Sequence, residues 1–418
     1  MIRVALIGYG QRGKFYVDTL SKYNDVEIVS VCDTSAEKLS LAKKAFSLAD
    51  ENCFSSDKEL FSKGKIADLL VIASMDQYHY AQAIEALKLG YDLILEKPIA
   101  QSAKESREIA EIANRCGRRV FVCHVLRYAP LYTTIKKMIN DGKVGKVISI
   151  SATEHVGWWH QAHSFVRGNW RRSEDTNPMI VAKCCHDLDL FVWLTGKDCK
   201  SVSSYGSLNY FKRDNAPEGS GDYCFECKYK DECKYNSMKF YTNYPAFAFA
   251  SGQYLGDPAD KQAIAAAFSR KDNPYARCVF KCDNDVVDNQ VVNVRFEDDT
   301  TAQLTMTAFC EGGIRTIWVH GTEGEISASM LDNVIHYQKF GKIYGVEPED
   351  IKVTVGETFG GHGGGDEKMV DDIVRAIRGD GNALGLTSID KSIMSHLMGF
   401  AAEDSRKGGG KLVEIKVG

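Results

Sequence analysis

Along the first third of the chain, short continuous apolar runs alternate with longer stretches whose apolar residues recur every three or four positions. "IRVALIG", "VEIVSVCD", "ADLLVIAS", "YDLILEKP" and "RRVFVCHV" are the short runs. Their β-branched, unbroken character predicts strands buried on both faces of a parallel sheet. Helical periodicity fills the gaps, from Gln11 to about Tyr23 and over "DQYHYAQAIEALKLG", which Gly90 closes. A further helix opens with Ser102 and Glu105 at capping-box spacing and ends near Gly117. Strands alternating with helices imply an α/β fold with a doubly wound parallel sheet, over residues 1–123. The remainder, 124–418, reads as a second domain interrupted by a cysteine-rich insertion at about 209–283.

Within that frame "GYGQRG" supplies Gly8, Gly10 and Gly13 at G-x-G-x-x-G spacing between the first strand and the first helix. Missing Cβ atoms permit a tight turn and let a pyrophosphate rest on the helix N-terminus. Asp33 ends the second strand, where a carboxylate can accept hydrogen bonds from a ribose diol. It favours NAD over NADP, because it would repel a 2′-phosphate. The expected cofactor contacts are Gly8, Tyr9, Gly10, Gln11, Arg12, Asp33, Ser74, Asp76, His79, Glu96 and Lys97. Lys97 lies just past a strand's carboxyl end, the edge at which open α/β sheets bind ligands.

Two further patches carry candidate chemistry. "MIVAKCCHDLDLF", residues 179–191, holds Lys183, Cys184, Cys185, His186, Asp187 and Asp189. A helix over Ile180–Leu194 would put Lys183, His186 and Asp189 on one face, with Asp189 placed to orient the imidazole and Asp187 to pair with Lys183. Cys184 and Cys185 would point about 100° apart, as small core residues rather than ligands of one ion. "EHVGWWHQAHSFVRGNWRR" follows the strand pattern "VISISATEHV" and becomes irregular. Aromatic faces suit the C–H faces of sugars. His163, Arg167 and Trp170 are therefore the expected substrate wall, with Arg127 and Tyr128, and His124 beside them, following the last strand of the first sheet. His362, in the glycine run "GGHGGGDE", is a weaker candidate for entry into the site.

Composition narrows the classes. The net charge of −4 gives no electrostatic case for nucleic acid or an anionic membrane. No run of about 18 apolar residues predicts a membrane span, and "MIRVALIGYG" enters a strand at once, without a signal-peptide pattern. Thirteen cysteines, an odd number, argue for free thiols in a reducing cytoplasm. Cys224, Cys227 and Cys233, spaced C-x2-C-x5-C, suit a thiolate site completed by Cys278 or Cys282, with Cys278 preferred. Structural zinc is expected there, with an iron–sulfur cluster the alternative.

Gly8–Gly13, Asp33, "LEKPIA", "LRYAPLY", His186 with Asp189, and "HGTEGEI" together resemble the Gfo/Idh/MocA oxidoreductases, the group of glucose–fructose oxidoreductase and inositol dehydrogenases. The resemblance implies a Rossmann domain followed by an α/β domain on a large, open, mostly antiparallel sheet, commonly a homodimer or homotetramer. It also implies hydride transfer at a carbohydrate or cyclitol hydroxyl carbon, with Lys97 and His186 at the family's lysine and histidine positions and Lys97, His186 and the neighbouring Asp189 and Lys183 forming the catalytic set. His186 would accept the hydroxyl proton and Lys97 would hydrogen-bond the substrate oxygen. Many members carry an aspartate four residues before the histidine and a glycine two before; Ala182 and Cys184 stand there, and Lys183 is expected to supply part of what is missing. The rival readings are an NAD-dependent glycosidase that oxidises its sugar transiently and a non-catalytic sugar sensor.

Overall fold

The computed structural model describes residues 1–341, 349–354 and 362–416. Strands β1 (Ile2–Ile7), β2 (Val26–Cys32), β3 (Cys53–Phe54), β4 (Leu69–Ile72), β5 (Asp92–Leu95) and β6 (Val120–Val122) form one sheet in the order β3-β2-β1-β4-β5-β6. Every pairing in it is parallel. All four residues of β4 and of β5 are buried, as a sheet covered on both faces demands. The strand order reverses between β1 and β4, and the crevice at their carboxyl ends is where such sheets take ligands. The two-residue β3 has no counterpart among the apolar runs; it is too short to leave a periodic signal.

The second sheet comprises β7 (Val147–His155), β8 (Cys199–Ser207), β9 (Asn289–Phe296), β10 (Thr301–Thr307), β11 (Ile314–Gly321), β12 (Gly324–Ser329), β13 (Val334–Lys339), β14 (Glu349–Lys352) and β15 (Val413–Glu414). Their order is β14-β13-β12-β11-β7-β10-β9-β8-β15, and only β7 and β10 run parallel. Burial alternates along β9 and β10, with Val292, Val294, Ala302, Leu304 and Met306 turned inward. That face packs under the helices Cys185–Thr195 and Ile389–Lys407. The opposite face shows Ile148, Tyr205 and Trp318 to solvent.

Three features are not legible in the sequence. The helix expected over 180–194 is broken: Met179–Ala182 and Cys185–Thr195 are separate helices, with Lys183 and Cys184 between them. The C-terminal segment also returns to the first sheet. Met369, Val370, Ile373 and Val374 of the helix Gly365–Ile377 pack into its core, and Val122 N donates to Thr387 O at 2.8 Å beside the free edge of β6. Residues past 124 therefore help to build the nucleotide-binding half. Finally, the insertion between β8 and β9 has small aromatic clusters of its own, one of them around Tyr241, Phe268 and Tyr275. Asp288 closes its neck by accepting from Asn209 N and Tyr210 N.

Candidate active site

The turn after β1 is shaped by backbone contact. Gly8 has φ +94°, and a Cβ there would lie 2.6 Å from Ala73 O, at the end of β4. A Cβ on Gly13 would lie 1.9 Å from Gly8 O, whereas one on Gly10 would meet nothing within 4 Å. Two glycines thus close the turn, and the third leaves open space above the N-terminus of the helix Gln11–Leu20. This is the form a pyrophosphate requires. Asp33 accepts from Tyr9 N (2.8 Å) and Ser35 N (2.9 Å), which fixes its carboxylate at the end of β2. Each of its oxygens retains acceptor capacity for a ribose hydroxyl. The residues present therefore fit a bound nicotinamide dinucleotide.

The other expected cofactor residues are held by neighbouring groups. Arg12 donates to Glu96 (2.8 Å) and to Asp366 (2.6 Å), and Tyr16 Oη donates to Glu96 (2.6 Å). Burial favours a neutral Glu96, but the Arg12 and Lys97 cations outweigh it and hold the carboxyl below its usual range. Ser74 Oγ donates to Gln82, and His79 is fixed between the carbonyls of Pro98 and Ser74. Asp76 accepts from Trp170 Nε1 (3.1 Å) and Asn177 Nδ2 (3.2 Å), tying the loop after β4 to the segment after β7.

Lys97 Nζ donates to the carbonyl of Ala182 at 3.1 Å. The helix break makes this possible, because a carbonyl at a helix end has no helical N–H to satisfy it. The main chain of Ala182 thus supplies the oxygen that meets the lysine. His186, in the first turn of the next helix, is 2% exposed, and its Nδ1 has no hydrogen-bond partner among the described residues. Burial, then the nearby Lys97 cation, pushes its pKa well below 6.5, so the imidazole is neutral and able to accept a proton.

Asp189 does not orient His186 as expected. It is clamped by Arg127, which donates through Nε (2.7 Å) and Nη2 (2.6 Å). Arg127 is 2% exposed and also donates to Leu386 O and Lys391 O, so its hydrogen bonds brace the fold. Tyr128 is likewise buried and donates to Asp372 (2.8 Å). Asp187 pairs with Arg315 (2.8 Å) and not with Lys183. Lys183 lies 3.7 Å from Glu154, which also contacts Arg315. Burial pushes Lys183 down and Asp187 up, the latter to about 6. Little in the sequence points to this buried group: Glu154 and Arg315 sit on strands whose neighbours are ordinary.

The glycine run delivers His362. Gly363 and Gly364 have φ +57° and +81°, and a Cβ on Gly365 would lie 2.1 Å from Val125 O. The turn they make sets His362 Nδ1 2.9 Å from Asp366, to which it donates, and puts the imidazole centroid 5.5 Å from that of His186. His124 lies 5.6 Å from His186 on another side.

His163 and Arg167 do not form a substrate wall. His163 bonds to Tyr241 Oη (2.8 Å) inside the aromatic cluster of the insertion, where burial lowers its pKa to about 3. Arg167 donates to Arg277 O (2.7 Å), Tyr235 O (2.6 Å) and Cys224 Sγ (3.3 Å). Trp170 alone of that trio borders the first sheet, through Asp76. Cys224, Cys227, Cys233 and Cys278 come together around one small cavity. Among the described residues, however, no three His, Cys, Asp or Glu side chains stand in a geometry that would hold a metal ion. Cys184 and Cys185 are buried core residues, as expected. No helix among the described residues is long and apolar enough to cross a membrane.

Residues 2–124 match the oxidoreductase family model for the NAD-binding Rossmann fold, and residues 136–413 match that family's C-terminal α/β domain. YteT of Bacillus subtilis, named as an oxidoreductase, is 28% identical over 370 residues, 83% of this chain and 82% of its own. The inositol 2-dehydrogenase/D-chiro-inositol 3-dehydrogenase of Lactiplantibacillus plantarum is 26% identical over 202 residues, 48% of this chain; the match spans 54% of that enzyme. The fold is shared with the WlbA dehydrogenase of Bordetella pertussis, solved with NADH and UDP-GlcNAcA, at TM-score 0.68 and 19% identity, covering 100% of this chain and 99% of that one. With both family models spanning nearly the whole sequence, the chain belongs to the Gfo/Idh/MocA oxidoreductase family, with a Rossmann sheet and a mostly antiparallel second sheet.

Proposed function

We propose that the chain is an NAD-dependent dehydrogenase that moves a hydride between nicotinamide and a hydroxyl-bearing carbon of a sugar, a sugar derivative or a cyclitol. The observation that carries this reading is the placement of Lys97 and His186. Lys97 leaves the carboxyl edge of the Rossmann sheet and is held by Ala182 O, four residues before a neutral, buried histidine with an unpartnered nitrogen. The nicotinamide supplies the hydride chemistry when bound. His186 takes the hydroxyl proton, and Lys97 stabilises negative charge developing on the substrate oxygen. Lys183 and Arg315 stand behind them against Glu154 and Asp187. With Lys97 and its neighbour Glu96 that makes three cations to three carboxylates, so the charge that favours an alkoxide is the local one of the Lys97 ammonium. Asp33 selects NAD. Lys183 acts through this electrostatic surround rather than as a stand-in for the missing aspartate.

His362, 5.5 Å from His186 and paired with Asp366, is a second proton-handling group in the same place. It favours, as a second reading, an NAD-dependent glycosidase, in which one group must remove a proton and another must assist a leaving group. We place the protein in a reducing cytoplasm, with no nucleic-acid or membrane partner, as a homodimer or homotetramer joined through the sheet face that bears Ile148, Tyr205 and Trp318. The deciding experiment is a screen of sugars, amino sugars, uronates and inositols with NAD and NADP, following nicotinamide reduction, beside nitrophenyl glycosides followed for hydrolysis. Reduction of NAD by one class supports the first reading; hydrolysis without net reduction supports the second. A preference for NADP overturns the role of Asp33.

A further inference from the structure

The insertion holds a feature that the oxidoreductase chemistry does not use. Cys224 and Cys227 lie at a short helical turn, with Cys227 N donating to Cys224 O, and Cys233 follows on the next turn. Cys278 arrives from 45 residues further along. A bridge between Tyr223 and Arg277, and the bond from Cys278 N to Asp222 O (2.8 Å), pin it against the first pair. All four side chains line one cavity of about 30 Å³. That is close to the space of a single water molecule. It suits one ion and not an iron–sulfur cube.

The second observation is a charge. Arg167 is 2% exposed, and its hydrogen bonds go to two carbonyls and to Cys224 Sγ. Among the described residues no carboxylate pairs with it. A buried guanidinium without an anion is strongly unfavourable. The groups placed to supply negative charge are the cysteines it faces, and Lys230 borders the same cavity.

We propose that Cys224, Cys227, Cys233 and Cys278 bind one zinc ion as a structural tetrathiolate site, with Arg167 as its buried counter-charge. Binding forms four Zn–S bonds and releases the thiol protons to solvent. The resulting centre is doubly negative, which accounts for a buried arginine and a lysine at its border. Among the described residues the four side chains do not stand in ligand geometry; the fold contributes their shared cavity and the cation. Cys282 is not the fourth ligand. Its thiol turns back to the Cys278 carbonyl at 3.3 Å and does not line the cavity. The site lies in the insertion, so the proposal stands apart from the substrate reading.

The test is elemental analysis of the untagged full chain, produced in zinc-supplemented medium and gel-filtered with a weak chelator. One zinc per chain is expected, absent from Cys227→Ser and Cys278→Ser and retained by Cys282→Ser. Should the first two variants fail to fold, the wild-type protein is titrated with a mercurial thiol reagent in the presence of a chromophoric chelator. Zinc should then appear in step with modification of the four thiols. Wild-type protein without stoichiometric zinc, zinc retained by Cys278→Ser, zinc release unconnected to thiol modification, or iron with visible absorbance would each overturn the proposal.

Discussion

Arg12, in the dinucleotide turn, and Asp366, at the start of a C-terminal helix, meet at 2.6 Å across 354 positions of sequence. Asp366 also accepts from His362 (2.9 Å). One carboxylate thus joins the cofactor turn to an imidazole beside His186. Burial alone would raise the Asp366 pKa, but the His362 hydrogen bond and the Arg12 cation outweigh it and bring it down to about 2. A carboxyl whose folded pKa is depressed contributes stability that is full above its unfolded pKa and is lost as pH falls towards the folded one. The thermal midpoint of the wild type should therefore exceed that of Asp366→Asn at neutral pH, and the gap should close between about pH 4 and pH 2. A gap independent of pH would show that the carboxylate's charge is not what matters.

The Lys97–Ala182 contact makes a prediction about turnover. If the ammonium acts on the substrate oxygen, Lys97→Ala should lower kcat by about 10²–10³-fold, the scale of removing one donor to a developing oxyanion. NAD affinity should change much less, because the turn and Asp33 are untouched. Titration calorimetry with NAD beside steady-state kinetics separates the two. Equal losses in both would make Lys97 a cofactor residue only.

His186 should set the acid limb of the oxidation reaction. Its pKa lies well below the ordinary imidazole value because of burial and the neighbouring Lys97. Activity in the oxidising direction should therefore persist below pH 6 and fall only on further acidification. His186→Gln should abolish turnover while retaining NAD binding. A limb at the ordinary imidazole position would place the titrating group elsewhere.

Much of this was legible in the sequence, and the failures have physical causes. The strands of the first sheet announce themselves because burial on both faces leaves unbroken apolar runs. The glycines, Asp33, Lys97 and His186 sit where their local motifs put them. The pairing of Asp189 with Arg127, and the turn of His163 and Arg167 into the insertion, are not legible, because spacing on one element says nothing of the partner a side chain meets on another. The break at Lys183 left no mark either, since no proline or glycine interrupts "MIVAKCCHDLDLF". The place of His362 is hidden because a glycine run reads as a loop, whereas here Val125 O presses on Gly365.

Buried neutral histidines predict a second pH effect, opposite in origin to that of Asp366. His124, His163, His186 and His396 are all buried, and burial lowers the pKa of each. A histidine depressed in the folded state is protonated first in the unfolded chain. Stability then rises with pH below the unfolded value and falls as pH drops from about 6.5. Each such group adds a slope of up to about 1.4 kcal/mol per pH unit. Denaturant midpoints should fall from pH 7 to pH 5, with Asp187, raised to about 6 by burial, offsetting only one group's share of the slope. A flat profile over that interval would mean that these imidazoles are solvated.

The three glycines of the turn after β1 should separate fold from cofactor binding. A Cβ on Gly13 would press 1.9 Å from Gly8 O, so Gly13→Ala should disturb the turn itself and lower both the thermal midpoint and NAD affinity. Gly10 has φ −83°, ordinary for alanine, and open space where a Cβ would go. Gly10→Ala should therefore cost under about 1 kcal/mol of stability, the scale of a helix N-cap change. If that open space is where the pyrophosphate approaches the backbone, the same methyl should weaken NAD binding by a far larger factor than it weakens the fold. Melting curves with and without NAD measure both: the variant should melt near the wild type alone and gain much less from added NAD. An undiminished NAD-induced shift would place the dinucleotide elsewhere than over Gly10.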